Sequence, residues 1–147
     1  MAETKDPVTK LKELIKGIDF AMLTTIRPDG SLHSCAMATA EIDGDGVVWF
    51  FSGNNSEKVE AIKSDPRVNL AYSDASGQRY ISITGRCELV RDHVKARELW
   101  NPLYKAWFPK GIEDPNLILL SVHIQEAEYW SAAEGRMVRL TGFAKTA

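Results

Sequence analysis

The sequence has little of what disulfide scaffolds, metal sites and membrane spans require. Its 147 residues include two cysteines, Cys35 and Cys87, which lie far apart and form no CxxC pair. This spacing argues against a disulfide scaffold and against a structural zinc site. The three histidines fall on different predicted elements, and none belongs to an HExxH pair. No stretch approaches the roughly 20 apolar residues of a transmembrane helix, so we predict no metal site and no membrane span.

A strong charge imbalance is also absent. The formal net charge at pH 7 is −2, so the whole chain offers no electrostatic basis for binding nucleic acid or an anionic membrane. The first residues, MAETKDPVTKLKELIKG, are charged and lack the apolar core of a signal peptide. Together with the sparse cysteines, this pattern predicts a cytoplasmic protein in a reducing compartment, with no nucleic-acid partner.

What the sequence does contain is a succession of apolar segments joined by short turns. Helical spacing predicts three helices, at 8–18, about 56–64 and 91–107. Pro102 is expected to break or kink the last of these helices. Extended patterns predict six strands, at 20–26, 31–42, 47–52, 67–74, 79–90 and 117–131. Because short turns such as RPDG join most strands, the sheet should be mainly antiparallel. The sequence therefore predicts a mainly β, α+β fold, a small six-stranded barrel with flanking helices. We expect one domain over residues 1–147, with a bend in the last strand near Gln125.

The stretch WFFSGNNSEKVEAI, residues 49–62, runs from an apolar strand through small polar residues into a helix. Free N–H groups and the helix dipole make such a junction suitable for an anion. Ser52 and Ser56 would add hydroxyl donors, and Lys58 would add a full charge. The alternative is that Asn54, Asn55 or Ser56 caps the helix and that the lysine is a solvated surface residue. The stretch alone leaves both interpretations open.

Tryptophan is frequent and falls at the ends of predicted elements. The chain has four tryptophans, at positions 49, 100, 107 and 130. Tryptophans in such places fill a core, or they form the wall of a site for a flat ring system or anchor an interface.

An ordered set of segments resembles the general stress protein 26 family of pyridoxamine 5′-phosphate oxidase-like split-barrel flavoproteins. These segments are FAMLTTI-RPDG-SLHS-CAMAT, DGDG-VVWFFS, NNSEKVEAIKSDPRVNLAY, QRYISITGRCELV, ELWNPLYKAWFP and EAEYW. The resemblance covers about residues 8–131 and leaves a C-terminal tail at 132–147. It implies an FMN-binding split β-barrel, with FAD as an alternative flavin. It also implies a homodimer that carries its flavins at the subunit interface.

The resemblance also implies which residues contact the cofactor. The phosphate would be held by the hydroxyl of Ser52 and by the helix pair Ser56 and Lys58. The strand segment from Cys35 to Ala38 would run along the flavin, and two tryptophans would approach the ring from the partner subunit. The implied cofactor-binding residues are Cys35, Ala36, Met37, Ala38, Phe51, Ser52, Ser56, Lys58, Tyr80, Trp107 and Trp130.

Two positions depart from the family pattern. Relatives commonly have Ser-Arg-Pro-Met where this chain has SCAM, so Cys35 replaces an arginine that pairs with phosphate. Loss of one charged hydrogen bond corresponds to about 1–3 kcal/mol of binding free energy, unless His33 or Arg86 compensates. In the true oxidase an Arg-x-His pair binds the substrate phosphate. Here Arg136 is followed by Val138 in the histidine position, so pyridoxamine phosphate oxidation is not expected.

Three functions remain open from the sequence. The first is a stress-related, FMN-dependent oxidoreductase in which the flavin carries the redox chemistry and a nicotinamide nucleotide is a candidate electron donor. No catalytic acid or base is identified. The second is a non-catalytic flavin store or sensor. The third is a split-barrel protein for another cofactor, such as a deazaflavin or haem.

Overall fold

The computed structural model describes residues 6–143, which contain eight strands, three α-helices and two short 3-10 helices. The helices are α1 (Pro7–Ile15), α2 (Glu57–Ser64), α3 (His93–Leu99) and the 3-10 helices Pro102–Ala106 and Gly111–Glu113. The strands are β1 (Phe20–Ile26), β2 (Leu32–Ala38), β3 (Glu41–Ile42), β4 (Val47–Gly53), β5 (Arg67–Asp74), β6 (Arg79–Val90), β7 (Leu117–Ser131) and β8 (Met137–Leu140). None of these helices is long and apolar enough to cross a membrane.

One curled antiparallel sheet contains all of these strands. Their order is β2-β1-β5-β6-β7-β4-β3, and β8 pairs with β7 beyond Gln125. The sheet curls until the chain after β2 reaches β4, where the Ala40 amide donates to the Trp49 carbonyl at 2.9 Å. The predicted mainly β, mostly antiparallel split barrel with flanking helices is therefore confirmed.

The number of strands was underestimated, because the structure has eight where the sequence predicted six. The predicted strand 31–42 is two strands, since β2 ends at Ala38 and the chain then leaves β1 to pair with β4 as β3. The other missed strand, β8, lies in the tail and is only four residues long. Its periodic signal is short, and it forms because β7 extends far enough to offer a free edge.

The barrel core forms on the concave face of the sheet. Burial alternates along β1 and β5, so every second side chain faces inward. The core is closed by Leu11 of α1 and Val59 of α2, which are both fully buried. The largest fully buried barrel residues are Tyr72, Phe50, Leu23, Leu70, Ile83, Leu120, Val48 and Val122.

Strand β4 is buried on both faces, as its continuous apolar sequence predicted. Phe50 and Val48 belong to the barrel core, whereas Phe51 belongs to a second hydrophobic cluster with Phe108 and Leu119. That cluster lies beneath residues 91–116, which cross the outside of β4 and β7 and which we call the strap. Burial on both sides fixes the direction in which every side chain of β4 points.

The helix predicted over residues 91–107 is interrupted, and the break or kink expected at Pro102 is confirmed. Helix α3 ends at Leu99, and Trp100 and Asn101 are extended. Pro102 explains the break, because its ring disfavours a helical conformation at the preceding residue and it has no N–H to donate. The chain resumes as a 3-10 helix whose first turn is capped by the Asn101 side chain, which accepts from the Leu103 amide at 2.9 Å.

The bend expected near Gln125 is confirmed as a β-bulge. Thr84 pairs with Glu126 and Gly85 with Ile124, so Gln125 has no partner in the ladder. A Cβ atom on Gly85 would overlap the carbonyl oxygen of His123. Glycine is therefore required where the two longest strands change register.

Arg79 joins the start of β6 to the end of α1. Its guanidinium donates to the Leu14 carbonyl at 2.7 Å and to the Lys16 carbonyl at 3.4 Å, and it forms a salt bridge with Asp74. These carbonyls end α1 and have no partner within the helix. The Arg79 hydrogen bond, with those from the Gly77 amide and the Ser76 hydroxyl, lowers the pKa of Asp74 to about 2.

This carboxylate predicts a pH-dependent contribution to stability. Because the folded pKa lies below the unfolded value, the contribution is present above about pH 4 and is lost as pH falls towards 2. Asp74→Asn should lower the free energy of unfolding at pH 7 and reduce its fall between pH 4 and 2. Urea denaturation at each pH measures both. Asp45→Asn is the control, since within residues 6–143 that carboxylate accepts no hydrogen bond; equal effects of the two variants would contradict the prediction.

Candidate cofactor-binding site

A cleft of about 420 Å³ opens between the ends of β2 and β4 and the strap. Its volume lies in the range of small-molecule and cofactor sites, roughly 300–1,000 Å³. Its lining residues are Phe20, Ala36, Met37, Ala38, Phe51, Ser52, Gly53, Lys58, Tyr104, Trp107, Phe108 and Asn116. One end is polar and the rest is largely apolar and aromatic.

Two hydroxyl groups converge at the polar end, and we call Ser52 and Ser56 the hydroxyl pair. Ser52 is 3% exposed, and its Oγ lies 3.3 Å from Ser56 Oγ. Both hydroxyls donate to the Gly53 carbonyl, at 3.2 Å from Ser52 and 2.9 Å from Ser56. Each can rotate away from this shared acceptor towards an incoming ligand without any movement of the backbone.

Helix α2 begins beside the hydroxyl pair and lacks a side-chain cap. Ser56 occupies the N-cap position, but its side chain makes no capping hydrogen bond. In α1 and α3, by contrast, Asp6 and Asp92 accept from first-turn amides. The alternative in which a polar side chain caps α2 is therefore wrong. The first-turn N–H groups and the positive end of the helix dipole are left for another acceptor.

Lys58 is half-buried in the wall of the cleft and forms no salt bridge with any residue between 6 and 143. It is thus not the fully solvated surface residue of the alternative interpretation. Cys35, on β2, lies beside this end of the cleft. Burial raises the pKa of its thiol, the Lys58 charge opposes that rise, and Glu57 reinforces it. The thiol of Cys35 therefore lies within the electrostatic influence of the first residues of α2.

Strand β2 contributes a backbone edge to the cleft. It is the first strand of the sheet, and among the described strands only β1 pairs with it. Alternate N–H and C=O groups of an edge strand point away from its neighbour and remain available. The Ala36–Ala38 segment lines the cleft, so its free edge offers donors and acceptors to the rim of a flat heterocycle.

Phe51, Tyr104 and Trp107 form an aromatic wall on the strap side. The Phe51 and Tyr104 ring centroids are 4.9 Å apart, and those of Tyr104 and Trp107 are 6.3 Å apart. Trp107 is 62% exposed, although it is one of the largest apolar side chains in the protein. Such a ring is available to pack against a planar ligand.

Sequence reasoning missed several lining residues. Tyr104 had a usable signal, since it lies at helical spacing between two tryptophans that were singled out. Asn116 had none: it reaches the cleft because its carbonyl accepts from the Asn54 amide at 2.7 Å, a contact between distant segments. A Cβ on Gly53 would lie only 2.9 Å from Asn116 Nδ2, so glycine permits this close approach.

Four of the predicted residues do not line this cleft: Cys35 and Ser56 lie beside it, and Tyr80 and Trp130 lie away from it. Tyr80 and Trp130 face each other across β6 and β7, with ring centroids 5.9 Å apart. They lie on the convex face of the sheet. The structure thus brings Ala36, Met37, Ala38, Phe51, Ser52, Lys58 and Trp107 together in the cleft, with Ser56 and Cys35 beside them.

Ser121, His123 and Glu88 lie together outside the cleft, but they do not form a catalytic triad. His123 Nε2 lies 2.7 Å from Glu88 Oε1 and 3.4 Å from Ser121 Oγ. A triad requires the acid and the nucleophile on different ring nitrogens, whereas here both approach the same atom. Within residues 6–143 no group of three or more His, Cys, Asp or Glu side chains is placed to hold a metal ion.

A split barrel with a cleft that joins a helix N-terminus to an aromatic wall defines a class of ligand-binding β proteins. The chain belongs to the pyridoxamine 5′-phosphate oxidase-like family, whose model matches residues 6–147. The family expected from the sequence is therefore confirmed.

Individual relatives are a quarter or more identical to this chain over the aligned residues. Protein bli-3 of Neurospora crassa is 28% identical over 132 residues, which cover 83% of this chain and 63% of that protein. The chain thus spans less than two thirds of that relative. General stress protein 26 of Bacillus subtilis is 25% identical over 100 residues, which cover 65% of this chain and 71% of that protein. The solved structure of the general stress FMN/FAD binding protein from Xanthomonas citri matches with a TM-score of 0.73 at 28% identity. The match covers 98% of this chain and 99% of that protein.

The two thiols should differ in reactivity. Burial raises the pKa of Cys87 to about 12 and also raises that of the half-buried Cys35, so neither forms much thiolate at pH 7. With a chromogenic disulfide reagent we expect slow reaction of Cys35 only, faster at higher pH, and reaction of both thiols after unfolding. A Cys87→Ser variant should keep the slow phase. Rapid reaction of two thiols in the folded protein would contradict this assignment.

Proposed function

We propose that the protein binds FMN in this cleft, with the phosphate at the hydroxyl pair, the start of α2 and Lys58. The observation that carries the proposal is the convergence of two hydroxyls, an uncapped helix N-terminus and a lysine at one end of a cleft that is otherwise apolar. A phosphate dianion suits that end because each donor is aimed at one place. FAD is the alternative flavin.

The remaining walls suit a flavin ring. The free backbone edge at Ala36–Ala38 matches a ring system whose rim carries nitrogen and oxygen atoms, and the aromatic wall matches its face. Haem is less well supported, since it commonly takes an axial His or Cys ligand and neither residue is among those that line the cleft.

A homodimer would complete the site. Phe20 and Met22 of β1 are exposed on the convex face. Register places Met22 opposite Ala71, and Ala71 opposite Ser82, so Tyr80 lies on the same face. Tyr80 in turn aligns with Trp130 and Met137.

This apolar row consists of Phe20, Met22, Tyr80, Trp130 and Met137 and is interrupted by Ser73 and Ser82. Exposed apolar side chains grouped on one face are of the kind that marks an interface. Because Phe20 also lines the cleft, the cleft opens onto the same surface. A second copy packed there would bring its Tyr80 and Trp130 towards the flavin. Such a dimer would explain how these two predicted residues contact the cofactor although they lie away from the cleft of their own chain.

When bound, the flavin would supply hydride or electron transfer. The chain's part would be to bind and orient the cofactor and to exclude water. Among the cleft-lining residues only Lys58 and Tyr104 titrate, and burial raises the pKa of Tyr104, which keeps it protonated at neutral pH. We propose a small oxidoreductase with a nicotinamide nucleotide as electron donor.

The same lack of an acid–base group favours a second function, a flavin store or sensor without turnover. A true pyridoxamine phosphate oxidase is not proposed, because Val138 stands in the histidine position. Oxidation of NADH and NADPH by the flavin-loaded protein separates the first two functions. Activity with either nucleotide supports the oxidoreductase, and inertness to both supports the store.

The absorption spectrum of the freshly purified protein tests cofactor identity. We expect flavin bands or, if the protein is purified empty, quenching of tryptophan fluorescence on titration with FMN. The exposed Trp107 and its neighbours in the aromatic wall would report contact with the ring. A Soret band, or no response to either flavin, would overturn the assignment.

Lys58→Ala should weaken FMN binding by about tenfold to a hundredfold, the range for loss of a charged hydrogen bond. Riboflavin, which has no phosphate, should bind wild type and variant equally. Lys63→Ala is the matched control on the same helix, because Lys63 pairs with Glu60 and faces solvent. Unchanged FMN affinity in Lys58→Ala would assign the lysine a surface role.

Tyr80→Asp should convert the dimer to a monomer, because a charge in the centre of the apolar row has no partner there. Light scattering coupled to size exclusion measures the mass. Val94→Asp is the control, since Val94 is also an exposed apolar residue but lies on α3 of the strap. A wild-type protein that is monomeric at micromolar concentration would contradict the proposed interface.

A further inference from the structure

The proposed FMN site has one lysine for a phosphate dianion and no arginine at position 35. Lys58 is the only cationic side chain among the cleft-lining residues. A second cation therefore has to come from outside the lining, close to the start of α2. Three basic residues, Arg86, His33 and Arg27, lie outside the lining and differ in their placement relative to α2.

Arg86 is at the wrong end of α2. It lies opposite Arg67 in the β5–β6 ladder, and its charge acts on Asp65, the C-cap residue of the helix. His33 lies opposite the buried Thr25, and within residues 6–143 it forms no ion pair with the helix. Arg86 is therefore placed away from the start of α2, and within residues 6–143 no contact supports compensation by His33.

Arg27 is at the right end of the helix. Leu23 and Thr25 of β1 face inward, and Arg27 follows at the same two-residue spacing. Its Nε donates to Glu57 Oε1 at 2.7 Å, and Glu57 is the first residue of α2, between Ser56 and Lys58 in sequence. The guanidinium is thus tethered directly beside the uncapped N-terminus.

The backbone of Arg27 is fixed, whereas its side chain is free to change partner. The Arg27 amide donates to the Ser31 carbonyl at 2.8 Å, and its carbonyl accepts from the Gly30 amide at 2.8 Å, so the RPDG turn anchors it. The ion pair with Glu57 is solvent-accessible on both sides. Exposed ion pairs contribute little to stability, and an arginine–phosphate contact is stronger because it is bidentate.

We propose that Arg27 is the second cation of the phosphate site and replaces the arginine that is missing at position 35. In the ligand-free protein Glu57 holds the guanidinium beside the site and neutralises it. When the phosphate enters, the guanidinium turns from Glu57 to the phosphate oxygens. The inference rests on the proposed binding of FMN, and it assigns a role to a residue outside the cleft lining.

The test compares FMN with riboflavin, because only FMN carries the phosphate. Arg27→Gln should weaken FMN binding about tenfold or more and leave riboflavin binding unchanged, as measured by tryptophan quenching. Glu57→Gln should tighten FMN binding, since it releases Arg27 and removes a negative charge. Arg86→Gln should leave the affinities for FMN and for riboflavin unchanged. Thermal unfolding of each variant without ligand shows whether the fold is retained.

A rescue variant separates a direct role from a structural one. Adding Cys35→Arg to Arg27→Gln should restore FMN affinity, because the arginine then returns to the position that relatives use. If wild type binds neither flavin, the proposed function fails. A different result overturns the role of Arg27 alone. In that result wild type binds FMN and Lys58→Ala lowers the FMN affinity, but Arg27→Gln keeps the wild-type ratio of FMN to riboflavin affinity.

Discussion

The burial of β4 on both faces is the constraint on which the rest of the site depends. One face of this strand packs into the barrel and the other packs beneath the strap, so its register is fixed and each side chain is held on one face. Consecutive residues at its end therefore point to fixed and opposite sides. Ser52 is directed to the start of α2, and Phe51 is directed to the strap. The polar end and the aromatic wall of the cleft thus each begin at one of two adjacent residues, Ser52 and Phe51.

The opposite wall of the cleft follows from a different property, an unpaired sheet edge. Edge strands invite unwanted pairing with other chains, and proteins usually cover them. Here β2 ends the sheet and its free edge faces the cleft. A cofactor and a second subunit would cover it together, and the apolar row that begins at Phe20 lies beside it. Ligand binding and assembly would then both protect the free edge of β2 from unwanted pairing.

The sequence predicted those parts of the fold that depend on local pattern. Long alternating strands such as β5 and β6 were placed within a residue or two, and SEK at the start of α2 was found because its members are adjacent in the chain. What it missed depends on distant contacts. Strand β8 exists only because β7 offers an edge, and Asn116 reaches the cleft only through the Asn54 amide. The strap helix was drawn too long because apolar spacing continued past Pro102, where backbone sterics overruled it.

The shared acceptor of the hydroxyl pair has a consequence for the binding of an anion. Ser52 and Ser56 both donate to the Gly53 carbonyl, and between residues 6 and 143 no buried side-chain polar atom lacks a hydrogen-bond partner. The two hydroxyls therefore have partners before any anion arrives, whereas the first-turn N–H groups of α2 do not have a side-chain cap. Binding of an anion would exchange the internal hydrogen bonds of the two hydroxyls for external ones.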